Sequence, residues 1–422
     1  MNQKIKHFLK KLGPGFITGA SDDDPSGIAT YTQTGAQFGL TQLWTALYTF
    51  PFMTVVQEMC GRIGLVTGQG LAGVIRNHFS KKLLFFSVSL LLIANTINIG
   101  ADLGAMAAAA QLLFPRVSFS ILILIFTFTI LFLEIFVSYK VYLKYLKYFA
   151  LSLLAYIATA FVVKMDWGTI LFATLVPHIS FTREYLLNII ALLGTTISPY
   201  LFFWQTGEEV EEEVAHNKIK DFGAGKPKIR HCDVRRMRLD TFFGMFFSNL
   251  ITFFIIATAA TTLGVHGIAD IQTAADAALA LKPLAGNFAY LLFTVGIIGT
   301  GLLAVPILAG SASYAVSESF NWKEGLYRKF SDAHGFYMVI MIATVVGLLV
   351  NFTKIPPFKM LYYTAVVNGA IAPILMIVIL RIANNKKIMG EYVNSRASNI
   401  LGWVITLIMG GASIGLFWSF LF

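Results

Sequence analysis

Apolar runs of about twenty residues, the length needed to cross a bilayer, follow one another almost without pause from residue 13 to residue 421. We place eleven, near 13–39, 41–66, 83–112, 117–139, 142–163, 186–207, 239–263, 286–316, 333–352, 360–380 and 400–421. No other feature narrows the fold so far. In hydrocarbon every backbone N–H and C=O needs an internal partner, so such runs are helices. Composition agrees, with 56% hydrophobic and 13% charged residues. The expectation is an all-α polytopic membrane protein, a single transmembrane domain over residues 1–422. Met1 to Leu12 is Lys-rich and lacks a small-residue cleavage site, which reads as a tail and not a signal peptide. Cys60 and Cys232 are too few for a disulfide framework.

A net charge of +10 would suggest nucleic acid in a soluble chain. Assigning the loops to alternate sides gives another explanation. Of 32 Lys and Arg, only Arg116, Lys164, Arg183, Lys282, Lys354 and Lys359 fall on the side opposite the N-terminus. The positive-inside rule then puts the N-terminus in the cytoplasm. It predicts a multi-pass protein of the plasma or inner membrane with no nucleic-acid partner. The 206–238 segment is the only sizeable polar one, opening with Glu208, Glu209, Glu211, Glu212 and Glu213 and closing with Arg235, Arg236 and Arg238. It reads as a cytoplasmic loop that begins as a solvated helix extension with opposite charges at its two ends, in preference to a regulatory metal site.

Two of the spans are broken in matching places. In the first, Ser21-Asp22-Asp23-Asp24-Pro25-Ser26-Gly27 puts three carboxylates at bilayer depth, where ionisable groups are expensive and mark pathways or sites. Pro25 has no N–H, so the carbonyl of Ser21, four residues earlier, loses its helical partner. Proline also pushes Asp24 out of helical backbone, and Gly27 allows further unwinding. In the sixth span, Gly194-Thr195-Thr196-Ile197-Ser198-Pro199-Tyr200 repeats the device. Pro199 orphans the Thr195 carbonyl beside the hydroxyls of Thr195, Thr196 and Ser198. The two breaks stand five helices apart, an odd number, so the second copy enters from the opposite side. Matched breaks in two inverted halves, 13–163 and 186–380 with 400–421 as an additional helix, point to the binding site of a secondary transporter. Oxygens from two unwound segments with a carboxylate describe a cation site. Successive helical residues diverge by about 100°, so Asp24 ranks first and Asp22 and Asp23 read as vestibule or hydrated-ion contacts.

Other polar residues in the spans carry weaker signals. Asp102 reads equally as a pathway acid or as a hydrogen-bonded residue between helices. Asn368 is able to reach the site or to bond a neighbouring helix. Glu58 and Glu134 are expected to pair with Arg62 and Lys140. Pro51, Pro306 and Pro373 read as kinks or packing. The sequence holds no nucleophile–base pair and no phosphate loop, so an enzyme is not expected and no cofactor is implied.

Gly13-Pro14-Gly15-Phe16, Asp24-Pro25, Thr34-Gly35-Ala36-Gln37-Phe38-Gly39 and Gly64-Leu65-Val66-Thr67-Gly68 resemble the natural-resistance-associated macrophage protein (Nramp) family of divalent-metal transporters. The resemblance covers the first ten helices and implies the LeuT-type fold of two inverted five-helix repeats, here with an eleventh helix. It implies a metal ligand at Asp24 and carbonyl ligands at Ser21 and Thr195. The departures are informative. The family's Asp-Pro-Gly-Asn is here Asp24-Pro25-Ser26-Gly27, which loses the Asn ligand. Its Met-Pro-His is here Ser198-Pro199-Tyr200, which exchanges a thioether for a hydroxyl and the proton-linked His for Tyr. Asp102 matches a family acid, while the acids expected at 95 and 105 are Asn and Ala.

An all-oxygen site suits hard ions, and Mg²⁺ keeps several of its waters. Loss of Met and Asn is expected to leave a roomier pocket, a pattern that looks like the Nramp-related magnesium transporters. The expectation is therefore a transporter of partly hydrated Mg²⁺, with metal contacts from Asp24, Ser21, Thr195 and Ser198. Asp22, Asp23, Gly27, Thr196, Tyr200, Asp102 and Asn368 line the pathway or stand behind the ligands, and proton coupling is in doubt. The alternatives are a proton-coupled Mn²⁺/Fe²⁺ symporter and an organic amine or amino-acid transporter on the same fold. The metal is substrate and the bilayer is the other partner. The oligomeric state is left open, compatible with a monomer.

Overall fold

The computed structural model describes residues 13–137, 153–163, 165–353 and 355–421. The tail 1–12, the start of the fifth expected span and Lys140, Lys144, Lys147, Lys164 and Lys354 lie outside the described residues. Among the described residues, every regular element is a helix. The principal ones are α1 (Pro14–Asp22), α2 (Pro25–Phe38), α3 (Trp44–Thr67), α4 (Leu71–His78), α5 (Lys81–Leu113), α6 (Phe119–Phe136), α7 (Leu154–Val162), α8 (Trp167–Leu175) and α9 (Arg183–Thr196). They continue with α10 (Pro199–Ala215), α11 (His231–Thr262), α12 (Ala289–Phe320), α13 (His334–Val350), α14 (Pro357–Ala383) and α15 (Arg396–Leu421).

Local chemistry sets the ends of these helices. Pro14 opens α1, Pro25 opens α2 and Pro199 opens α10, each at a position where a missing N–H costs nothing. Gly68, with φ of 63°, closes α3 in the left-handed conformation. Pro51, Pro306 and Pro373 sit inside continuous helices, as expected of residues that only kink or pack. Seven helical segments among the described residues are long and apolar enough to cross a membrane, including α5, α6, α9 with α10, α12 and α14. On α6, Phe128, Phe132 and Phe136 project outward, the last 73% exposed. Such a face is stable only against lipid. The chain is a multi-pass membrane protein.

Backbones cross closely where both helices offer glycine. A Cβ at Gly19 of α1 would lie 2.3 Å from the Gly244 carbonyl of α11, and one at Gly194 of α9 would lie 2.3 Å from the Gly369 nitrogen of α14. Asp240 of α11 also accepts from the N–H groups of Gly13 (2.9 Å) and Gly15 (2.8 Å), satisfying the exposed start of α1. These contacts fix both broken helices in the interior, with α2 and α10 buried along most of their length.

One expectation about charge fails. Glu208, Glu209 and Glu213 are buried, because α10 continues through them to Ala215 between its neighbours. Glu211 accepts from the Tyr314 hydroxyl (2.6 Å) of α12. The glutamate run does extend the helix, as expected, but it packs into the bundle instead of facing solvent. Glu58 does pair with Arg62, at 2.9 Å, and also with Arg238, at 2.8 Å.

Candidate cation site at the two helix breaks

The first break behaves as the proline predicts. α1 stops at Asp22, Asp23 leaves the helical region with ψ of 50°, and Asp24 is extended at ψ of 174°. Its carboxylate turns forward and caps α2, with Oδ1 accepting from Ser26 Oγ (2.6 Å) and from the Gly27 N–H (2.7 Å). This is an N-cap in the ordinary sense, placed at the centre of a membrane protein. Oδ2 accepts from Asn98 Nδ2 (3.1 Å) of α5. The side chain ranked first as a ligand is thus already held from two sides, and it is 2% exposed.

The freed carbonyls are found where expected, and hydroxyls hold both. Tyr200 donates to the Ser21 carbonyl at 2.9 Å, a bond that joins the second break to the first. Ser198 donates to the Thr195 and Gly194 carbonyls, each at 2.8 Å. Thr196 turns back to the Leu192 carbonyl (2.6 Å) and so presents its proton to its own helix. The two breaks touch at Gly27, where a Cβ would lie 3.3 Å from Thr195 Oγ1 and 3.2 Å from the Asp22 carbonyl oxygen. This corrects the expectation of a roomier pocket. The missing side chain at residue 27 lets the breaks close on each other.

Asp22 and Asp23, expected as vestibule or hydrated-ion contacts, are both 0% exposed, so no open vestibule reaches them in this conformation. They face α11, where Ser248 Oγ lies 2.6 Å from Asp22 Oδ2 and 3.4 Å from Asp23 Oδ1. Asp22 Oδ1 and Asp23 Oδ2 have no partner. Asp102 is buried with neither oxygen partnered, which removes its reading as a hydrogen-bonded residue between helices. It interacts electrostatically with Asp24. Asn368 is buried on α14 beside Gly369, at the crossing with α9, without a hydrogen bond to either break.

The sequence reading overlooked Asn98 and Ser248. Asn98 carried a signal, for it lies four residues before Asp102 and therefore on the same helical face. Ser248 carried none, because nothing in α11 marks which serine meets α1.

The electrostatic balance is the main property of the site. Asp22, Asp23, Asp24 and Asp102 are all buried, and none takes part in an ion pair among the described residues. A buried carboxylate without a cation costs several kcal/mol, so four together require protons or a cation. Among the described residues no three His, Cys, Asp or Glu side chains converge as a ready ligand set. A cation held between the breaks would draw on backbone carbonyls or hydroxyls as well as carboxylates.

The sequence from residue 15 to residue 419 matches the family model described as natural resistance-associated macrophage protein-like. The chain belongs to the Nramp family. Among the relatives of this Nramp protein are the divalent metal cation transporters MntH of Yersinia enterocolitica and Erwinia tasmaniensis. Each is 26% identical; the matches cover 97% of this chain and 94% and 93% of those relatives. Its fold is that of a manganese transporter of Eremococcus coleocola, with TM-score 0.74 and 15% identity over 98% of this chain and 87% of that one. It is also similar to Mhp1, a nucleobase-cation-symport-1 family transporter in a closed conformation, with TM-score 0.59 and 12% identity over 96% and 92% of the two chains. The fold is of the LeuT type, as the family resemblance implied.

Proposed function

We propose that this Nramp protein carries a divalent metal cation across the membrane by alternating access, binding it between the two helix breaks. One observation carries the reading: two unwound segments meet at buried carboxylates that no Lys or Arg among the described residues neutralises. Asp24 is the principal ligand, the Ser21 and Thr195 carbonyls and the Ser198 hydroxyl supply neutral oxygens, and the two breaks belong to inverted halves. The ion enters by exchange, since the Tyr200 and Ser198 hydroxyls now occupy the carbonyls it needs. Tyr200, Gly27 and Thr196 control that exchange without holding the ion, and Asn368 stands behind it at the α9–α14 crossing. The charge bias of the loops supports an N-terminus in the cytoplasm.

For the ion, the comparisons support the proton-coupled Mn²⁺/Fe²⁺ alternative better than the Mg²⁺ expectation. The relatives are divalent metal cation transporters by name, and the solved Nramp neighbours are manganese transporters. Charge counting favours the proton-coupled part of that reading, because a divalent ion offsets two of four carboxylates and two protons shared among Asp22, Asp23 and Asp102 would offset the rest. Mg²⁺ remains a second reading on one observation, the all-oxygen donor set around Asp24. Family membership sets the organic amine aside.

Uptake into vesicles reconstituted with the full chain separates the readings. Mn²⁺ entry accompanied by acidification, and indifferent to millimolar Mg²⁺, is the expected outcome. Competition by Mg²⁺ without acidification would give the site to the harder ion. Uptake that survives Asp24→Ala would remove the site itself.

A further inference from the structure

A second place in the molecule has the composition of a cation site. A cavity of about 190 Å³ lies between the end of α10, the start of α1 and the first turns of α11, at the ends of α1 and α10 opposite the breaks. Glu209, Glu212 and Glu213 reach it from one face of α10, and Asp233 and Asp240 reach it from α11. Three cations also line it. Lys218 and Arg230 are committed to Asp233, at 3.4 and 3.6 Å, and Arg236 is the third. Five carboxylates against three cations leave a net charge of −2 with His216 neutral.

The shortfall is concentrated at Glu213. This side chain is 2% exposed, and neither carboxylate oxygen has a partner. Its neighbours are engaged: Glu209 accepts from Gln205 (3.0 Å), and Asp240 holds the N–H groups at the start of α1. A buried carboxylate that makes no hydrogen bond and has only the charge of Lys218 near it, itself paired with Asp233, is costly enough to mark a missing cation or proton.

We propose that this cavity binds a hydrated divalent cation, with Glu213 as its main anchor. The cavity is large enough for an ion that keeps several of its waters, as Mg²⁺ does. The carboxylates do not converge closely enough to strip an ion. They bond to its waters. The cavity includes Gly13 and Pro14, so an ion there ties the end of α10 to the start of α1 and opposes their separation. Occupancy would therefore slow opening on this face when the ion is abundant there, a control distinct from transport through the breaks.

The test uses the full chain in lipid nanodiscs, with Asp24→Asn to silence the helix breaks. Calorimetric titration with Mg²⁺ is expected to retain one site, and adding Glu213→Gln is expected to weaken it roughly tenfold or more. Hexaamminecobalt(III), whose ligands do not exchange, is expected to compete for it. In the unmutated chain, Mg²⁺ is expected to slow amide exchange over 209–216, a readout that does not depend on the variants folding. No retained site, unchanged affinity in Glu213→Gln, no competition by the cobalt complex, or no protection over 209–216 would each overturn the proposal. The transport reading fails separately, through absent uptake.

Discussion

The two helix breaks use the same proline device and satisfy it by opposite means. The second is nearly self-sufficient: Ser198 holds the Thr195 and Gly194 carbonyls and Thr196 holds Leu192, all within four residues. The first has a local cap, Asp24 on Ser26 and Gly27, but depends also on distant partners, with Tyr200 on the Ser21 carbonyl, Asn98 on Asp24 and Ser248 on Asp22. Charge is divided in the same way, since the first break carries three carboxylates and the second carries none. A break held by its own hydroxyls keeps its shape whatever its neighbours do. A break held by other helices registers their movement. The comparison suggests that the second break is the fixed side of the site and the first is the side that responds.

The largest expected effect comes from removing the charge at the responsive side. Asp24→Ala deletes the proposed ligand and the cap of α2 together, and metal uptake in vesicles should fall on the order of 100-fold or more, matching about 3 kcal/mol for a charged hydrogen-bonded group. Gly27→Val comes next. Its side chain must enter space where even a Cβ meets atoms at 3.2 to 3.3 Å, so thermal unfolding should show a loss of about 1–3 kcal/mol from overpacking. Unchanged stability would mean that the breaks are not in contact.

Tyr200→Phe separates the two sides more finely. Without the hydroxyl, the Ser21 carbonyl is buried and unpaired until an ion arrives. The ion-free protein should lose about 1–2 kcal/mol, and stabilisation by added Mn²⁺ should grow, because the ion no longer displaces a bond. An equal loss with and without Mn²⁺ would show that Tyr200 is only structural. Asp102→Asn should leave Mn²⁺ uptake measurable while reducing the accompanying acidification, and an unaltered proton flux would exclude Asp102 as a carrier. Thr196→Val should change stability by no more than about 0.5 kcal/mol, since its hydroxyl serves only its own helix. A large loss there would contradict the self-sufficiency of the second break.

Much of the site was legible without coordinates, for a specific reason. A proline removes one N–H and thereby names the carbonyl four residues earlier, so Ser21 and Thr195 followed from covalent structure alone. The extended backbone at Asp24 followed from the residue after it. Spans could be placed because membrane-crossing length and apolarity are properties of consecutive residues. Glu58 with Arg62 was readable as neighbours one helical turn apart.

The remainder was decided by packing between helices distant in sequence. Tyr200 meets Ser21 across 179 residues, and Ser248 meets Asp22 across 226, contacts set by the rotation and depth of whole helices. The same packing buried Glu209 and Glu213, which a charge run alone assigns to solvent, and closed the pocket that the small residue at 27 had suggested would be open. The sequence by itself determined which backbone groups would be left without partners and where negative charge would enter the membrane, because both depend on bonds between near neighbours. Only the tertiary structure decided which groups satisfy them, because a hydrogen bond between helices exists only once both helices are in register.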